Sequence, residues 1–218
     1  MPKSSRSPEA IEIVRQNILD TTIEIIDQNG YDNFSLRKLA ARLGITSTTI
    51  YNYYSSKDGI YLAVLTKKFA ELYNRLLEGY NSGTNSMDKL KLILHEYIKF
   101  GITEANFYNI MFTWDVPKQK DFIGTPLETI ASEELNIALE SWELLKKAII
   151  ESGILANVPK ENVDVYLAHI ASSVHGIVAL YNSKIIEYLI ETNVVDPDNA
   201  FLNQYVDFLI DYWSNTII

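Results

Sequence analysis

An all-α protein in two parts is predicted by three features of this sequence. Apolar residues recur at helical spacing almost end to end, with glycine and proline falling between the runs as punctuation. No stretch shows the strict apolar/polar alternation of a half-buried strand. The 218 residues also exceed a small headpiece of 58, leaving 218 − 58 = 160 for a second, larger core.

Taken in order, Pro2, Ser4, Ser5, Ser7 and Pro8 read as an unstructured arm carrying Lys3 and Arg6. A first helix follows, with Ile18, Leu19, Thr22, Ile25 and Ile26 as its inner stripe. Ser35 is placed to cap a second helix that buries Leu36, Leu39, Ala40 and Leu43. Gly44 then suits the left-handed residue that ends a helix, Ile45 packs inward, and Thr46 caps the next helix. That third helix, from Ser47 to about Tyr53, buries Ile50 together with Tyr54. Ser47, Thr48, Thr49, Tyr51, Asn52 and Tyr53 are left outward.

Beyond it, Ser56 caps a long helix expected to reach Glu78 and stop at Gly79. Further helices are expected from Met87 to Thr103, from Asn106 to Phe112, and from the Thr125, Pro126, Glu128 start to Glu151. A loop bounded by Asp115, Pro117, Gly124 and Pro126 lies before that last start. Two more helices run from Pro159 to Tyr181 and from Asp198 to Trp213.

Charge is sorted along the chain. Residues 35 to 57 hold Arg37, Lys38, Arg42 and Lys57 against no acid, a local +4 in a chain of net charge −9. Residues 1 to 60 balance seven basic against seven acidic side chains, so the excess acid lies in the remainder. Two short helices at a glycine corner, with a cationic edge and an uncharged polar outer face, make a helix-turn-helix suited to the major groove of duplex DNA.

Other chemistry is not encoded. Cysteine is absent, which excludes a disulfide framework and a thiolate nucleophile. His169 and His175 stand six apart on one helix and point to different sides, so metal binding is not expected. There is no nucleophile elbow, HExxH or phosphate-cradling glycine loop, and so neither an enzyme nor a cofactor is expected. The first residues lack a secretion signal, and the longest apolar runs look broken by Lys, Glu or Asp. The expectation is therefore a cytoplasmic protein without a membrane span.

The first 60 or so residues resemble the TetR family of bacterial transcriptional regulators. The resemblance is carried by Gly30, Leu39-Ala40, Leu43-Gly44-Ile45-Thr46, Thr49-Ile50-Tyr51, Tyr54 and Ser56-Lys57-Asp58. It departs from the common pattern at Thr48, where glycine or proline is frequent, and at Tyr54, where phenylalanine is usual. It implies a DNA-binding domain over 1–58 and a helical effector-binding and dimerisation domain over 59–218. Arg37 then falls where relatives can reach a base edge or a phosphate, Ser47, Thr48 and Asn52 where they read bases, and Thr49, Tyr51 and Lys57 where they bind phosphates, with Thr46 and Tyr53 completing the surface. The stretch from Tyr97 to Phe112 resembles ligand-domain helices of the family, and Val174-His175-Gly176 resembles the signature of one class of its C-terminal domains. Phe100, Phe107, Met111, Trp142 and His175 are the effector-pocket candidates, for a small apolar or aromatic molecule. The implied activity is repression from a pseudo-palindromic operator by a homodimer that its effector releases. The alternative is a helical carrier or enzyme that does not bind DNA.

Overall fold

The computed structural model describes residues 7–189 and 200–216. It is 81% helical, with no strand among the described residues. Compact packing groups the described parts of Met1–Lys68 with Asn109–Asn136, and Phe69–Tyr108 with the described parts of Ile137–Ile218.

In the first unit, α1 (Pro8–Asn29) starts earlier than expected. Ser7 is its N-cap, accepting from the Ala10 amide at 3.3 Å, and Pro8 occupies the first turn, where its missing amide hydrogen costs nothing. Ser7 and Pro8 are thus helix-starting residues; Pro2, Lys3, Ser4, Ser5 and Arg6 lie outside the described residues. Ile18, Leu19, Thr22, Ile25 and Ile26 are buried, as the stripe required. A single 3-10 turn (Tyr31–Asn33) leads to α2 (Leu36–Leu43), capped by Ser35 and closed by Gly44 at φ +65°. Helix α3 (Ser47–Tyr51) is capped by Thr46 and ends two residues short of Tyr53. Leu39, Ala40, Ile50 and Tyr54 are buried, while Leu36, Leu43 and Ile45 are only half-buried.

Helix α4 (Lys57–Ser82) continues through Gly79. A Cβ at Gly79 would stand 3.2 Å from the Leu92 carbonyl oxygen, so this glycine permits a close helix crossing and does not stop the helix. Helix α5 (Ser86–Thr103) is capped by Asn85, whose side chain accepts from the Asp88 amide at 2.9 Å. The expected helix from Asn106 to Phe112 splits into α6 (Ala105–Tyr108) and a π-helical turn (Asn109–Thr113). A 3-10 turn (Gln119–Phe122) then breaks the loop before α7 (Glu128–Glu151), which is closed by Gly153 at φ +79°.

Helix α8 (Val163–Asn182) packs on α5, where Gly101 lies against Val178. Contrary to expectation, Lys160–Asn182 is long and apolar enough, with a mean hydropathy of 1.4, to cross a membrane by length and composition. Its charges gather at Lys160, Glu161 and Asp164, leaving the residues that follow free of Asp, Glu, Lys and Arg. Helix α9 (Ile186–Leu189) is one turn, and α10 (Ala200–Thr216) packs on α5. The expected start of the last helix at Asp198 lies outside the described residues.

Candidate nucleic-acid interface

The surface expected to meet a nucleic acid is built from α2, the glycine corner and α3. Ser35 accepts from the Lys38 amide at 3.3 Å, and Thr46 from the Thr49 amide at 3.1 Å, so both short helices have a satisfied first turn. The corner holds because Gly44 takes a left-handed conformation while the Ile45 amide donates to the Ala40 carbonyl at 3.0 Å. With Ile50 buried beneath it, α3 turns Thr48, Tyr51 and Asn52 outward, and Tyr51 is 52% exposed.

The cations are not equivalent. Arg37 is exposed and, among the described residues, pairs with no other side chain. Lys38 Nζ donates to the Asn33 carbonyl at 2.9 Å. Arg42 is drawn back onto α1 by Glu24 at 3.0 Å and Gln28 at 2.9 Å, so the +4 counted from the sequence overstates the charge offered to a partner. Lys57 lies over Tyr31 and Phe34, 5.2 and 5.4 Å from their ring centroids, which holds its stem at the start of α4. The Thr49 hydroxyl shares a 2.9 Å hydrogen bond with that of Thr46, so it offers a phosphate at most part of its capacity. Ser47 and Tyr53 are half-exposed, and Thr46 is exposed.

Sequence reasoning missed Arg15. From α1 it donates to the Tyr53 carbonyl at 3.0 Å, 38 residues away, and no local periodicity announces that contact. A long-range signal of this kind is visible only after the helices are packed.

The expected effector residues fall in two groups. Phe100 is fully buried under the Arg75 guanidinium, 5.4 Å from its ring centroid, and Phe107 is also buried. His175 is half-buried, its Nδ1 2.5 Å from the Tyr108 hydroxyl, which in turn is 3.0 Å from that of Tyr97. Burial pushes the Tyr108 and Tyr97 hydroxyls up, the latter to about 12, and lowers His175 below the usual histidine range. Burial thus favours the neutral form of all three side chains. Trp142 is half-buried in the same unit, whereas the buried Met111 is grouped with the first. A separate cavity of about 310 Å³ lies beside Ile102, Tyr181, Asn182 and Ile186, and none of the five expected residues lines it.

Comparison with known proteins agrees with this geometry. The family described as "Bacterial regulatory proteins, tetR family" matches residues 18–64. The "Fatty acid metabolism regulator protein" of Bacillus subtilis is 24% identical over 151 residues, covering 69% of this chain and 73% of that protein. The "Biofilm operon icaADBC HTH-type negative transcriptional regulator IcaR" of Staphylococcus aureus is 30% identical over 91 residues, 42% of this chain and 48% of its own. The chain therefore spans about half of that relative. Among solved structures, the transcriptional regulator FadR from Bacillus subtilis in complex with stearoyl-CoA superposes with a TM-score of 0.59 at 18% identity. That match covers 92% of this chain and 97% of FadR, a likeness of fold. The matched residues, 18–64, are those that build the capped corner and its outward helix, and together with these relatives they support a DNA-binding transcriptional regulator similar to the TetR family.

Proposed function

We propose that this chain is a repressor that binds a pseudo-palindromic DNA operator as a homodimer and leaves it when a small apolar or aromatic effector binds. The observation that carries the reading is the uncharged outward face of Thr48, Tyr51 and Asn52 on a helix capped at its start, beside the unpaired cation of Arg37. Residues 1–58 serve as the DNA-binding domain and 59–218 as the effector and dimerisation domain. Arg37, Ser47, Thr48 and Asn52 read base edges, and Thr49, Tyr51 and Lys57 hold phosphates, with Thr46 and Tyr53 at the rim. The role is regulatory rather than enzymatic, is carried out in the cytoplasm, and uses α8 for packing rather than as a membrane span.

For the effector, Phe100, Phe107 and Trp142 of the second unit supply apolar lining and His175, with Tyr108 and Tyr97, a polar anchor. Stearoyl-CoA is the first compound to assay, because the Bacillus subtilis FadR structure was solved with it. An effector that favours one conformation of the second domain shifts the dimer toward it. Helix α4 runs in sequence from the first unit into the second and carries that change to the headpiece.

The test is selection of bound fragments from random duplex DNA, repeated with stearoyl-CoA and with aromatic compounds. Recovery of an inverted repeat whose binding weakens steeply with salt supports the reading. Absence of any enriched duplex, or binding indifferent to salt, overturns it in favour of a helical carrier.

A further inference from the structure

Five residues are too few for α3 to hold its own shape, since isolated helices shorter than about 12 residues are marginal in water. Its start is capped by Thr46, but its far end depends on another helix. There, Arg15 of α1 donates from Nη1 to the Tyr53 carbonyl at 3.0 Å while its guanidinium lies 4.8 Å from the Tyr54 ring centroid. The Tyr54 hydroxyl donates back to the Arg15 carbonyl at 3.2 Å, and Glu12, a turn earlier, stands 3.7 Å from Arg15 Nε. Tyr54 itself is buried, which fixes the plane on which the guanidinium rests. One arginine thus grips the two residues that directly follow Tyr51 and Asn52.

We propose that Arg15 is a positioning residue for operator recognition: without touching DNA, it sets the angle at which α3 presents Thr48, Tyr51 and Asn52. This role rests on the DNA-binding reading above. The contact needs a planar fork that stacks on a ring and donates at the same time, which the compact ammonium of lysine does not reproduce. Because the Arg15 side chain is 42% exposed, its loss leaves global stability nearly unchanged. What falls is the fraction of molecules whose α3 is held ready, and apparent affinity falls by that fraction for every sequence alike. The number of phosphates neutralised stays the same, so the salt dependence is unaltered.

The experiment uses the full chain with Arg15→Gln, Arg15→Lys and Tyr54→Phe, binding the duplex recovered by selection across a salt series. Arg15→Gln should weaken binding about five- to tenfold, Arg15→Lys should fail to restore it, and both log–log salt slopes should match the unaltered protein. Amide exchange over residues 47–54 should quicken by a similar factor while Leu39 and Ala40 stay protected. A slope shallower by about 0.9 per headpiece, about 1.8 for the dimer, places Arg15 on a phosphate and overturns the proposal, as do unchanged affinity and exchange. An unaltered protein that binds no duplex strikes the DNA reading and this role together. Intact binding by both the unaltered protein and Arg15→Gln strikes this role alone.

Discussion

Glu134 shows what a single buried carboxyl does to this protein. It sits in α7 at 7% exposure, and burial outweighs the attraction of Lys118, pushing it up to about 7 from an ordinary 4.5. A folded-state value above the unfolded one means that the native state holds the proton longer, so the stability present below about pH 4.5 is lost as pH rises through 7. Glu134→Gln keeps the shape without the charge. The variant should match the parent near pH 4.5 and exceed it by on the order of 2–3 kcal/mol at pH 8, read from urea midpoints at both pH values. Equal midpoint differences at both would show that Glu134 titrates in the folded state as it does in the unfolded one. At the DNA surface, Asn52 can pair bidentately with adenine, whereas the Tyr51 hydroxyl suits a phosphate. Asn52→Ala should mainly relax preference at one base pair, by about 1–3 kcal/mol, and Tyr51→Phe should weaken all duplexes about equally. Titrations against randomised sites giving the reverse pattern would exchange the two assignments.

Helix by helix, what could be read in advance was what local chemistry dictates. Ser35, Gly44 and Thr46 act within three or four residues of themselves, and each caps or closes its helix. The apolar stripe of α1 was equally local. Gly79 misled because a glycine that ends a helix and one that admits a neighbouring backbone look alike until the neighbour, here Leu92, is in place. The candidate site divides the same way: the outward face of α3 was legible, but the withdrawal of Arg42 onto Glu24 and the reach of Arg15 to Tyr53 depend on α1 packing. Gly101 tests the same physics at the α5–α8 crossing. An added Cβ would stand 2.5 Å from Val178 Cγ1 and 3.0 Å from the Tyr108 ring, in a buried setting with little room to yield. Gly101→Ala gains about 1 kcal/mol of helix propensity yet should lose about 1–3 kcal/mol to overpacking. A melting temperature lowered by several degrees is expected, and a raised one would show that the crossing relaxes freely.

At the scale of the whole molecule, the proposed dimer must place two headpieces on one operator, and α8 and α10 offer the surface for it. Val165, Ala168 and Ser172 of α8 are exposed, and a Cβ at Gly176 would meet open space. On α10, Phe208 is 61% exposed and stacks on the exposed Tyr212 with ring centroids 6.1 Å apart. The two helices are tied by the Tyr205 hydroxyl, which donates to the Ser173 carbonyl at 3.0 Å, so both faces belong to one unit. A two-fold axis through such a surface sets Phe208 against its counterpart's apolar side chains, and two carboxylates introduced there would be buried without partners. Phe208→Glu combined with Val165→Glu should therefore give a monomer in equilibrium sedimentation at micromolar concentration, with helix content unchanged by circular dichroism. Each monomer then has to find its half-site without the effective concentration supplied by its twin, so operator affinity should fall by about 100-fold or more. The salt slope should fall to about half, because only one headpiece's phosphates are engaged in each binding event. A doubly substituted protein that still sediments as a dimer would move the interface to another face, and one that turns monomeric yet holds the operator at full strength would remove the need for a paired headpiece.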